Sequence, residues 1–114
     1  MANTFKIKSN AAMPSSAGTP LTLFTADTTT VCIGLMLANI HTAAVTATVK
    51  VESDTSDTET NETVFVLKDA PIPVGGSLEV LAGNKLVMQN TDVMKIDCSV
   101  SAKIDATLSI MEIT

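Results

Sequence analysis

His41 is the single histidine of this 114-residue chain. Histidine is the usual general base near neutral pH, so it is the first residue to weigh for catalysis. A Ser-His-Asp or Cys-His system needs partners held within hydrogen-bond reach. This histidine lies between Asn39-Ile40 and Thr42-Ala43, a turn joining two apolar stretches. It reads as a solvated or subunit-facing turn residue. The acidic run Asp54, Asp57, Glu59 and Glu62 offers carboxylates that calcium could use. Calcium takes roughly six to eight oxygens, and the central glycine of an EF-hand loop is missing. The run reads as a solvated loop. Asp92, Asp97 and Asp105 could be imagined as paired acids for glycoside hydrolysis. No Trp or Tyr is present to stack a sugar, and Asp92 suits a turn in which its side chain binds nearby backbone amides. Gly75-Gly76 is too short for a phosphate loop and no helix follows it. The six Met residues read as core and interface filler. No catalytic residue, metal site or cofactor is expected, and the chain is not expected to be an enzyme.

Cys32 and Cys98 lie far apart in sequence, each within strand-like apolar alternation. The simpler reading is two buried thiols acting as small hydrophobes. A disulfide would require their Cα atoms within about 7 Å. There is no Cys-x-x-Cys and no zinc spacing.

The totals narrow the function classes. The net charge is −5 and the lysines are scattered. Nucleic-acid binding needs a positive footprint, and so does attraction to anionic lipid. Neither partner is expected. No apolar run approaches the ~18 residues that span a bilayer. The first residues lack the apolar core of a signal peptide, since Lys6 and Lys8 are followed by Ser and Asn. Synthesis in a host cytoplasm is the expectation. The mean hydropathy of +0.35 is high for a small soluble chain and suggests surface to bury in an oligomer.

The elements that would position these residues are strands. Val31 to Ala38 carries no charge. Its odd positions hold Val31, Ile33, Leu35 and Leu37, and its even positions hold Cys32, Gly34, Met36 and Ala38. Side chains alternate across a strand, so the bulky set should share one face, with both faces dry. Ala43 to Glu52 alternates Val45, Ala47, Val49 and Val51 with polar residues, the mark of a strand on a sandwich surface. Thr4 to Lys8 reads as a short half-buried strand displaying Phe5 and Ile7. Ser9 to Pro20 is rich in breakers and reads as a loop or extended arm. Further strands are expected at 21–25, 64–68, 77–81, 86–89, 93–99 and 105–113, with a defined bend over 69–76. About nine short strands with close turn signals suggest an all-β chain, a single antiparallel β-sandwich or jelly-roll-like domain. Residues 1–20 would form the N-terminal strand and arm, and 21–114 the sandwich.

The stretch Lys68-Asp69-Ala70-Pro71-Ile72-Pro73 followed by Gly75-Gly76-Ser77-Leu78-Glu79 carries a family likeness. With Ile33-Gly34-Leu35-Met36 upstream and Leu108-Ser109-Ile110-Met111 at the close, it resembles small virion structural proteins of tailed bacteriophages, many from cyanophages. The likeness covers roughly residues 30–114. It departs where relatives carry a Gly-Asp turn, since Asn90-Thr91-Asp92 keeps only the Asp. The resemblance implies a particle component and leaves its position open. An apolar, charge-poor sandwich suits a capsid decoration (cement) protein on the capsid exterior, with the major capsid protein as partner and a homo-oligomer, a trimer favoured. Such a protein stabilises a shell by binding its assembled state. The alternative is a neck or tail component. The residues expected to contact the capsid or other subunits are Phe5, Ile7, Pro14 and Pro20 from the arm, and Pro71, Ile72, Pro73, Gly75 and Gly76 from the bend.

Overall fold

The computed structural model describes residues 3–53 and 61–113. The acidic run falls mostly outside these residues; of its four carboxylates only Glu62 is described, and it is exposed. The described residues form nine strands: β1 (Asn3–Met13), β2 (Leu21–Thr25), β3 (Thr30–Asn39), β4 (Val45–Glu52), β5 (Val64–Ile72), β6 (Ser77–Glu79), β7 (Leu86–Met88), β8 (Val93–Cys98) and β9 (Ile104–Ile113). The described residues hold no helix. This fits the sequence, whose β-branched and alternating stretches suit a pleated, half-buried surface.

The strands form two sheets. One runs β1-β9-β3-β6, with β7 also on β3, and the other runs β2-β8-β4-β5. Every pairing is antiparallel. Counting β6 and β7 as one interrupted strand, the first strand pairs with the last, the second with the next to last, and so inward to β4 with β5. This is a long hairpin rolled into two sheets, the jelly-roll arrangement. β4, β8 and β9 alternate buried and half-buried residues almost without fault. Leu35, Leu37, Met88, Ile104 and Leu108 from one sheet meet Leu23, Val49, Met94 and Ile96 from the other, and all are buried.

Three local departures from the expected pattern shape the surface. In β3 the register shifts between Cys32 and Gly34, so Ile33 is an inserted residue. Cys32, Leu35 and Leu37 therefore face the core, while Ile33 and Met36 are exposed. A bulge moves every later side chain to the opposite face. The expectation that the four odd residues share one dry face is corrected by this shift.

β1 is also longer than expected. It follows β9 up to Met13, with a register shift after Asn10 that turns Met13 into the core. The loop that follows is tied back to its own domain: Ala17 N–H donates to Ser101 Oγ at 2.8 Å and Gly18 N–H to Asp97 Oδ1 at 3.0 Å. The extended arm is thus replaced by a sheet strand and an anchored loop. β5 runs through Pro71 to Ile72 where the bend was expected to begin at Asp69. Pro71 is tolerated because β5 is an edge strand and needs no second ladder of amides.

Candidate interaction surfaces

The antiparallel wrapping brings four connections to one end of the sandwich. They are 14–20, 40–44, 73–76 and 99–103. Backbone bonds stitch them together. Ala102 N–H donates to Pro14 O at 2.6 Å, Ile40 N–H to Lys103 O at 3.0 Å, and Asn39 N–H to Gly76 O at 3.0 Å. Asn39 is the buried clamp of this end. Its Nδ2 lies 3.0 Å from Ala43 O, 3.0 Å from Ile72 O and 3.2 Å from Pro73 O. Its Oδ1 accepts from His41 N–H at 2.7 Å. The bend is equally defined: Gly76 N–H returns to Pro73 O at 3.0 Å. A Cβ on Gly76 would come within 3.0 Å of the Pro73 ring, so the turn selects glycine there. Ile40 and Val74 stand exposed on this end.

The second surface is the outer face of the five-stranded sheet. Phe5 pairs with Met111, Met111 with Val31, and Val31 with Val87, one row across four strands. Ile7 pairs with Ser109 and Ser109 with Gly34 in a neighbouring row, and Met36 follows beside Thr107. Phe5 is 71% exposed and Ile7 70% exposed. Ile33, Met36 and Val87 are also exposed. The expectation of a half-buried Phe5 and Ile7 is corrected: the opposing sheet lies on the other side of β1, and among the described residues no element covers this side. The outer face of the other sheet is polar. Thr46, Thr48, Lys50 and Glu52 line β4, and Lys95 lies directly opposite Lys50. Like charges so placed repel. Glu52 bridges both, at 3.2 Å from each Nζ, and the two lysines hold its carboxyl below the ordinary glutamate range.

The expected contact residues therefore separate. Phe5 and Ile7 lie on the apolar sheet face. Pro71, Pro73 and Gly75 are exposed at the loop end, and Gly76 is half-buried beside them. Ile72 is 0% exposed and belongs to the core. Pro14 is buried under the same end. Both are turned into this chain and off its surface, because alternation points Ile72 inward and the preceding bulge carries Pro14 in with Met13. Pro20 is half-buried and borders a recess of about 240 Å³ with Lys50, Phe65, Lys95 and Asp97. That is smaller than the roughly 300 Å³ at which small-molecule sites begin. Sequence reading missed Ile33, Met36, Val87 and Ile40, along with Val64 and Phe65, which are exposed on the β5 edge.

The groups weighed for chemistry serve the backbone. Gln89 N–H donates to Asp92 Oδ2 at 2.9 Å, as expected for a turn aspartate. Asp97 Oδ1 accepts from Gly18 N–H and from Cys98 N–H. Asp105 Oδ1 accepts from Ala12 N–H at 2.8 Å. Among the described residues no three of His, Cys, Asp and Glu cluster as metal ligands would. Both cysteines are buried free thiols, in agreement with the simpler reading. Cys32 Sγ lies 3.6 Å from Met88 Sδ, and burial pushes its thiol up to about 11.

No family model matches the chain, and no curated protein does. Among solved structures it is similar to the crystal structure of an infectious bursal disease virus VP2 subviral particle, with a TM-score of 0.52 and 14% identity. The match covers 95% of this chain and 33% of that one, so the chain spans about a third of that protein's length. At that identity the likeness is one of fold, a two-sheet β architecture occurring in a viral capsid protein.

Proposed function

We propose that the chain is a non-enzymatic structural protein of a virion, and within that class a decoration (cement) protein of a tailed-phage capsid. The observation that carries this reading is the placement of exposed apolar side chains on a jelly-roll scaffold. Five of the large ones cover one sheet face, two sit at the loop end and two on the β5 edge. Such surfaces mark protein contacts. The fold likeness to a capsid protein and the sequence resemblance over 30–114 support the same class. The loop end is the proposed shell contact, because a rigid bend and three stitched turns present Ile40, Pro71, Pro73 and Val74 together. Docking there adds stability to the assembled shell by mass action.

The test is binding of the purified chain to capsids of its own virus prepared without it. Wild-type protein should saturate the capsids and raise their heat resistance. Ile40→Asp with Val74→Asp should weaken binding tenfold or more while the chain stays folded. Undiminished binding of that variant would remove the loop end as the contact. No binding of wild-type protein to any capsid preparation would remove the decoration role.

A further inference from the structure

We propose that the outer face of the five-stranded sheet is a homotypic interface, covered by the same face of a second copy of this chain. The inference goes beyond the virion reading and does not depend on it.

Three observations argue for a second copy. The first is area. Phe5, Ile7, Met36 and Val87 are exposed, with Val31 and Met111 half-exposed between them in the same rows. Together with Ile33 they present on the order of 500 Å² of apolar side chain, scaled from the 150–250 Å² that one aromatic residue can bury. That is at the top of what a monomer normally leaves in one patch. With its rim of Asn3, Ser9 and Thr107 the face approaches the roughly 800 Å² per partner of a standard interface.

The second is charge. The chain carries a net −5, so most of its surface repels a copy of itself. The Phe5–Met111–Val31–Val87 row holds no charged residue. Lys6 and Lys8 alternate to the opposite side of β1, since they pair with the core-facing Ile110 and Leu108. The two carboxylates that share the face, Glu79 and Asp105, are turned onto the sheet's own amides. Glu79 Oε1 accepts from Leu35 N–H at 3.3 Å and Asp105 Oδ1 from Ala12 N–H at 2.8 Å. Both carboxylates thus have a partner within their own chain, and the Phe5 rows of two copies can meet with no charged residue between them.

The third is shape. Twisted sheets pack face to face at about 10 Å with a small crossing angle. The Phe5–Met111–Val31–Val87 row forms an apolar ridge, and the row beside it carries Ile7, Ser109 and Gly34. A two-fold operation sets the Phe5 and Ile7 rows of one copy against the same rows of the other. The contact is isologous and gives a dimer, whereas the sequence reading favours a trimer.

Sedimentation equilibrium of the full chain tests this. Wild-type protein should be dimeric at tens of micromolar. Phe5→Glu with Ile7→Glu should weaken association at least a hundredfold with an unchanged circular dichroism spectrum, since both side chains are already exposed. Met36→Lys should act likewise from the centre of the face. Phe65→Glu, on the β5 edge, should leave the dimer intact. A monomer at 100 µM would overturn the proposal, as would a trimer, or a dimer sensitive only to Phe65→Glu. If the chain is monomeric and the Phe5 and Ile7 variant fails to bind capsids, the face belongs to the shell and the second copy is refuted. Loss of dimerisation with capsid binding retained would support this interface while leaving the loop-end contact standing.

Discussion

Asn39→Ala should loosen the loop end and cost about 3 kcal/mol of stability. The figure follows from its partners. Two amide protons on Nδ2 serve three carbonyls, those of Ala43, Ile72 and Pro73, and Oδ1 accepts from His41 N–H. Asn39 thus makes about three full bonds, each worth about 1 kcal/mol net. Asn39 is itself buried at 6% exposure. Its removal leaves the carbonyl of the core residue Ile72 without this donor, and an orphaned buried acceptor costs about 1–3 kcal/mol in place of the ~1 kcal/mol of that one bond. The expected loss is therefore about 3 kcal/mol, with a ceiling near 5. For a chain of this size that lowers Tm by about 12 °C. Urea denaturation followed by circular dichroism measures it, with the m-value unchanged. Amide exchange should accelerate at 40–44 and 71–76 before the rest of the sheet. Asn39→Asp keeps the acceptor for His41 but turns a carboxylate toward three carbonyl oxygens. It should cost at least as much at pH 7 and recover in part below about pH 4, where the protonated acid can donate. A loss under 1 kcal/mol, with exchange in both segments unchanged, would refute the clamp.

Leu108→Ala, at a fully buried position of β9 between the sheets, should cost about 2–5 kcal/mol by leaving a cavity; the same urea titration checks it. Cys32 should resist thiol reagents at pH 8 in the folded chain and react on unfolding, as read by mass spectrometry. Its raised ionisation means that the unfolded thiol loses its proton first, so stability should fall as pH climbs from about 9 towards about 11. Glu52 should titrate below the ordinary glutamate range in a carboxyl-detected NMR titration, because Lys95 and Lys50 hold it. Its contribution is present above that range and fades as pH falls through its own lowered value. Glu52→Gln should remove this acid-side dependence and leave Lys50 facing Lys95 unbridged.

The strand plan was legible because burial and alternation coincide wherever a strand lies squarely between the sheets. Val45 to Glu52 and Val93 to Cys98 read correctly for that reason. β3 was harder. Gly34 was a signal, since an isolated glycine inside a strand often marks a bulge. Yet only pairing with β9 places the extra residue at Ile33. Phe5 and Ile7 alternate as a half-buried strand would, and nothing local says which side the second sheet takes. The loop end was half legible. Pro71, Pro73 and the glycines announced a bend, but Asn39 looked like an ordinary turn residue. Its role depends on carbonyls 33 and 34 residues away, and such distances leave no trace in local pattern.

The most direct test of the decoration role is the copy number of this chain per purified virion, by quantitative mass spectrometry against the major capsid protein. Near-stoichiometric abundance is expected of a protein spread over the shell. A few copies per particle, in multiples of six, would contradict it and move the chain to the neck or tail.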